Sequence, residues 1–179
     1  MRESELKILE SLARYKYLTT KQMMTLKILS QRANLYPRLK NLLDGKKALI
    51  KKNVFGVSAQ GRLEDFYFLT NYGKDFLIEN LDQEQEEIKL PTGTSSLFSR
   101  DYKHRLECIN FYIYFDLWAK ENHINIIMLN YYFDKVGDNR KNKNLRALNR
   151  IEVEQTGGYI IPDIVVKFLA KRQSYIFLV

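Results

Sequence analysis

Leu18-Thr19-Thr20-Lys21-Gln22 opens a stretch that continues through Leu35-Tyr36-Pro37-Arg38-Leu39-Lys40-Asn41-Leu42-Leu43 and closes at Phe66-Tyr67-Phe68-Leu69-Thr70-Asn71-Tyr72-Gly73. Thr19 followed three residues later by Gln22 has the form of a capping box, which starts a helix by satisfying two backbone N–H groups reciprocally. Met23, Met24, Leu26 and Ile28 fill that helix, and the pattern carries it to about Leu29. Pro37 then sets where the next helix begins. An interior proline costs about 3 kcal/mol, whereas in a first turn its missing N–H has no partner to lose. A helix capped by Ser30 would put Pro37 in its interior, so the sequence predicts one capped by Asn34 and running over 34–44. Leu35, Leu39, Leu42 and Leu43 form its buried stripe, Tyr36, Arg38, Lys40 and Asn41 stay outside, and Gly45 lies just past its end.

Upstream, Ser4 is placed to cap a first helix to about Tyr15, with Leu6, Leu9, Leu12 and Ala13 on one face. Downstream, Ala48-Leu49-Ile50-Lys51-Lys52 opens a strand. Val54-Phe55-Gly56-Val57 and Asp65-Phe66-Tyr67-Phe68-Leu69 are β-prone runs around Ser58-Ala59-Gln60-Gly61-Arg62, which reads as a hairpin. Thr70 then caps a helix carrying Phe76, Leu77 and Ile78. Helix, helix, turn, helix, basic hairpin and Tyr67-x-Leu69-Thr70-x-x-Gly73 into a helix resembles the winged-helix modules of many prokaryotic DNA-binding proteins. On that reading the base readers are Asn34, Tyr36, Arg38, Lys40 and Asn41, and Lys51, Lys52 and Arg62 reach phosphates. The alternative is an ordinary solvated helix in a small bundle, since charged faces usually meet only water.

The charge distribution agrees with a polyanionic partner for this first part. Residues 1–81 hold 15 Lys/Arg and 8 Asp/Glu, whereas 82–99 hold one basic residue and four acids. The sign change, followed by Pro91-Thr92-Gly93-Thr94-Ser95-Ser96, marks 82–99 as a linker between a domain at 1–81 and one at 100–179. The acidic part can instead finish the preceding helix. Cys108, the single cysteine, excludes an internal disulfide framework and fits a reducing cytoplasm. Met1-Arg2-Glu3-Ser4-Glu5 is too charged for a signal peptide. The longest apolar-rich run, Ile124 to Phe133, is far short of the roughly 20 residues that span a bilayer. A cytoplasmic protein without membrane insertion is expected.

The second half reads as a long helix ending near Asn122, then three strands. Tyr102, Leu106, Ile109, Ile113 and Leu117 mark the helix's buried face, and Phe111, Tyr114, Phe115 and Trp118 widen it. The strands are Ile124–Phe133, Tyr159–Phe168 with Pro162-Asp163 near its start, and Ser174–Val179 after a turn at Lys171-Arg172-Gln173. Between the first two, 134–149 reads as a loop. Its Arg140, Lys141, Lys143 and Arg146, with Arg150 just beyond, suit either nucleic-acid contact or plain solvation. His104 is more often structural than catalytic, and Cys108 reads as a small core residue.

That element order is the core order of the restriction-endonuclease-like nuclease fold, whose site is Pro-Asp followed by an apolar run into Glu-x-Lys. Two carboxylates from adjacent strands hold Mg²⁺ there, and the lysine steadies the attacking water or the phosphate charge. Pro162-Asp163 and the run Tyr175-Ile176-Phe177-Leu178-Val179 are present, and the chain ends where the second carboxylate is due. It reads as a fragment of a longer protein.

Three stretches carry a fuller resemblance: Arg14-Tyr15-Lys16-Tyr17-Leu18-Thr19-Thr20-Lys21-Gln22, His104-Arg105-Leu106, and Pro162-Asp163 with the strand at 175–179. In these the chain resembles the replication-relaxation family of plasmid and integrative-element proteins, which includes the C class of mobilisation relaxases. The resemblance implies an α+β protein, with an N-terminal winged helix-turn-helix followed by a partial restriction-endonuclease-like α-β-β-β domain. It implies binding to double-stranded DNA at an origin of transfer or replication, and a domain that nicks one strand. Asp163 would then be a metal ligand for Mg²⁺ or Mn²⁺ once the site is completed beyond Val179, Glu107 an auxiliary acid, and His104 a neighbour of the site. A homodimer and other mobilisation proteins are the further partners expected. Because Glu-x-Lys is missing, the chain is expected to bind DNA without cleaving it well. The competing expectations are a non-enzymatic transcription or copy-number regulator with a C-terminal dimerisation or sensing domain, and a pure interaction module.

Overall fold

The computed structural model describes residues 1–58, 61–91, 101–136, 146–155 and 157–179. The chain forms two compact units, Met1–Pro91 and Thr92–Val179. Both mix helices with antiparallel strands.

In the first unit, α1 spans Glu3–Tyr15 and starts one residue before the expected Ser4 cap, with Arg2 as N-cap. Glu5 explains the shift: its carboxylate accepts the Arg2 N–H at 2.9 Å and satisfies a donor that the helix leaves free. That bond from the Arg2 backbone, outweighing the opposing effect of burial, holds Glu5 below the usual carboxylate range. Ile8, Leu9, Leu12 and Ala13 face the core, and Leu6, expected in the stripe, is only partly covered.

The capping box forms as expected. Thr19 Oγ1 accepts the Gln22 N–H at 3.2 Å, and Gln22 Oε1 accepts the Thr19 N–H at 2.9 Å. The helix it opens, α2, covers only Thr20–Thr25 and stops four residues before the expected end. Lys27 takes a left-handed conformation at φ 54°. Its N–H meets Met24 O at 3.0 Å, and the Ile28 N–H meets Met23 O at 3.3 Å, with both Ile28 and Met23 buried. This is a Schellman closure with lysine where glycine is usual. Lys27→Gly is therefore expected to stabilise the unit by about 0.5–1 kcal/mol, measured by urea unfolding.

The third helix, α3, runs Arg32–Leu43 rather than 34–44, with Pro37 inside it. Pro37 removes one bond, the one that Ala33 O would have accepted, and Ala33 is exposed, so water serves that carbonyl instead. The earlier start is secured by Arg32, whose Nη2 donates to Thr20 Oγ1 at 3.0 Å. Leu35, Leu39 and Leu42 are buried as expected.

Strand β1 (Ile50–Asn53) pairs antiparallel with β4 (Phe66–Leu69), and β2 (Val57–Ser58) with β3 (Gly61–Arg62) forms the tip of the hairpin. On its other edge β4 is bridged to Leu18, whose N–H and C=O both bond Tyr67 at 3.1 and 2.9 Å. Thr70 caps α4 (Asn71–Leu81) by accepting the Gly73 N–H at 3.1 Å while its hydroxyl donates to Ala48 O at 2.7 Å. Within the stretch read as a linker, a 3₁₀ turn at Gln85–Glu87 is followed by buried Ile88 and by Lys89, whose N–H donates to Ala13 O at 2.8 Å. Residues 92–100 lie outside the described residues.

In the second unit, α5 spans Tyr102–Glu121. Its buried face is rotated from the expected one. Arg105, Tyr112 and Asp116 turn inward, and Leu106 and Leu117 are only partly covered. The reason is polar. The Arg105 guanidinium lies 4.9 Å from the Phe133 ring centre, and the buried Asp116 pairs with Lys120 at 3.1 Å. Beside it lies a sheet of order β11-β10-β5, formed by Gln173–Leu178, Ile164–Ala170 and Asn125–Tyr131, all antiparallel. The single strand expected at Tyr159–Phe168 is broken at Pro162-Asp163 into β9 (Gly158–Ile160), paired with β8 (Ile151–Val153), and the central β10. Pro162 has no N–H to give a ladder, and the change of partner strand falls there. The expected loop contains a small pair, β6 (Lys135–Val136) with β7 (Arg146–Ala147); residues 137–145, with Arg140, Lys141 and Lys143, lie outside the described residues.

Candidate nucleic-acid interface and an acid–imidazole pair

The face that α3 shares with the hairpin forms an open cleft of about 520 Å³, lined in part by Thr20, Arg32, Tyr36, Lys52, Arg62 and Glu64. Helical spacing puts Arg32, Tyr36 and Lys40 on one flank. Tyr36 is half exposed, with the Arg32 guanidinium 5.9 Å from its ring centre. Lys40 and Asn34 are exposed.

The other expected base readers are placed differently. Asn41 Nδ2 donates to Glu5 Oε1 at 3.1 Å, which ties it to the start of α1, and Arg38 is half-buried. The two hairpin lysines also separate. Neighbouring strand residues point to opposite faces, and Lys52, opposite Tyr67, belongs to the cleft, where it pairs with Asp65 at 2.8 Å. Lys51, opposite Phe68, belongs to the other face. Arg62 sits at the tip, exposed, with no ion pair among the described residues. Sequence reasoning missed Arg32 and Glu64. Arg32 fell into the turn once Pro37 was used to delay the helix.

In the second unit, the backbone of Asp163 is fixed on both sides. Its N–H donates to Val179 O at 2.8 Å, and its C=O accepts the Tyr132 N–H at 2.8 Å. Buried Asn149 donates to Asn130 O at 3.0 Å and to Pro162 O at 3.4 Å, which holds the turn before Asp163 against the end of β5. The Asp163 side chain is about half exposed and meets His104 Nε2 at 3.0 Å. His104 rests on Tyr132, ring centres 4.9 Å apart, and Tyr132 donates its hydroxyl to Asp101. Burial first, then the bond to Asp101, pushes the Tyr132 hydroxyl well above its usual range. Burial, reinforced by the charges of Asp163 and Asp101, pushes the Cys108 thiol up to about 12, so it stays a protonated core group.

The structure thus joins His104 to Asp163, which lie 59 residues apart in sequence. Glu107 is exposed one turn further on and accepts from Asn110 at 3.3 Å. Among the described residues, no three His, Cys, Asp or Glu side chains are grouped to hold a metal ion. The pair supplies one carboxylate, and Mg²⁺ is commonly held through one or two carboxylates, with waters and phosphates completing about six oxygens. Among the same residues, no helix is long and apolar enough to cross a membrane.

Comparison with curated proteins and with solved structures finds no match. A family model described as replication-relaxation matches residues 9–178, spanning the capped α2, the hairpin, α5, Asp163 and the strand that follows it. The chain belongs to the replication-relaxation family.

Proposed function

We propose that this chain binds double-stranded DNA at an origin of replication or transfer, through α3 and the hairpin of its first unit acting as a winged helix. Membership of the family points to a role in replication or mobilisation. The observation that carries the finer reading is the cleft flank, where Arg32, Tyr36 and Lys40 on α3 stand with Arg62 at the hairpin tip. A helix entering the major groove and a basic hairpin following the backbone use these residue types. Lys40→Ala and Arg62→Ala are each expected to weaken binding by about five- to tenfold and to reduce the salt slope by about one. Fluorescence anisotropy with an origin duplex over a salt series measures both. Unchanged affinity in both variants sinks the reading.

The second unit is proposed as a nuclease-like domain in which Asp163 is a metal-ligating carboxylate and His104, 3.0 Å away, orients it. Family relatedness and the fixed backbone of Asp163 support this. Nicking of supercoiled origin plasmid in Mg²⁺ or Mn²⁺ that Asp163→Ala abolishes would support this reading. A second reading, a non-enzymatic regulator whose second unit dimerises, is favoured by one observation. Strand β11 is exposed along its whole length, with Ile176 at 66% and Phe177 at 58%. A monomer in sedimentation velocity rules out the second reading, which requires a dimer, whereas a dimer is compatible with both.

A further inference from the structure

Glu64 and Asp65 lie between β3 and β4 and line the same cleft as the DNA-facing cations. Glu64 Oε1 is 3.2 Å from Lys21 Nζ and 4.0 Å from Arg32 Nη2, and its other oxygen accepts the Lys21 N–H at 3.3 Å. Asp65 holds Lys52. Two carboxylates therefore occupy three of the cations at this surface.

We propose that Glu64 is a specificity-setting residue: a carboxylate standing beside Arg32 where a backbone phosphate of bound DNA would lie, so that it weakens sequence-independent binding. The inference rests on the DNA-binding reading above. Glu64 has two conceivable roles, holding Arg32 ready for DNA or holding DNA off, and the geometry separates them. Arg32 is already fixed by Thr20 Oγ1 at 3.0 Å and by the Tyr36 ring. Glu64, at 4.0 Å, is at the outer limit of an ion pair with it, so removing the Glu64 charge leaves Arg32 in place. A phosphate arriving at Arg32 meets that negative charge at close range. Like charges set against each other suppress generic partners, and only a site whose base contacts offset the repulsion binds well. The cation ends of these pairs are exposed and the carboxylates half-buried, so the pairs add only modestly to folding.

The test compares wild type and E64Q, full chain, by anisotropy against an arbitrary-sequence duplex and an origin duplex over a salt series. Glutamine keeps the shape and can still accept the Lys21 N–H. E64Q is expected to bind the arbitrary duplex about five- to tenfold tighter, with a salt slope steeper by about one, and to gain less on the origin duplex. E64Q/R32Q should lose that gain. Binding by E64Q where wild type shows none also supports the inference. If wild type binds and E64Q binds no tighter, the inference falls and the DNA reading stands. If neither binds either duplex at low salt, the DNA reading falls and takes the inference with it. Far-UV circular dichroism checks folding. Should E64Q melt early, D65N, which frees Lys52, is expected to shift arbitrary-duplex binding in the same direction, and no tightening there overturns the proposal.

Discussion

Gly73→Ala is expected to lower the stability of the first unit by about 2–4 kcal/mol. A Cβ at Gly73 would stand 2.2 Å from Leu49 O and 3.0 Å from a Leu69 methyl. The oxygen cannot simply retreat, because it accepts the Thr70 N–H at 3.0 Å and stands 3.2 Å from the Thr70 hydroxyl. The clash therefore opens the junction between α3's exit, the hairpin base and the cap of α4 together. Alanine's better helix propensity returns only about 1 kcal/mol. Urea unfolding followed by far-UV circular dichroism reads the loss. Trp118, the only tryptophan, lies on α5 and reports the second unit by fluorescence. An unshifted circular dichroism transition would show that the backbone yields cheaply and that the close approach is not a constraint.

Asn149→Ala is expected to destabilise the second unit by about 2–3 kcal/mol. The side chain is buried and its one amide group bonds two carbonyls, Asn130 O and Pro162 O, and alanine removes both bonds. Asn149→Asp keeps the shape but turns donors into acceptors facing carbonyls, so it should cost at least as much. The Pro162 carbonyl precedes Asp163, so both changes should also loosen the Asp163–His104 contact. Trp118 fluorescence in urea measures the first effect, and the His104 ring signals in NMR measure the second. Wild-type behaviour in Asn149→Ala would remove this clamp from the account of the site.

The parts of the fold that sequence reading recovered were those set by local chemistry. Thr19 with Gln22, and Thr70 with the Gly73 N–H, cap helices through bonds that reach only the next turn. The misreadings came where a distant partner outweighed a local rule. Pro37 argued for a late start to α3, but Thr20, twelve residues back, holds Arg32 in the first turn. Lys27 closes α2 although no glycine announces it. On α5 the apolar spacing predicts a stripe through Leu106 and Leu117, whereas the aromatic rings of Tyr132 and Phe133 draw Arg105 inward. Of the site residues, Asp163 and His104 follow from the family resemblance, and their contact is a tertiary fact that no spacing encodes. Lys51 and Lys52 were grouped by composition, and the alternation of a strand divides them.

The bridge between Leu18 and Tyr67 has a consequence for geometry in use. Leu18 immediately precedes the capping residue of α2, and Tyr67 is the middle of the hairpin's return strand, so a pair of backbone bonds straps the two together. Helix pair and hairpin behave as the fixed jaws of a calliper. The span between the Tyr36 flank and the hairpin base is set before any partner arrives, and little ordering entropy is lost when one does. On the DNA-binding reading, a duplex would be accepted or refused on whether its groove and backbone fall at that span.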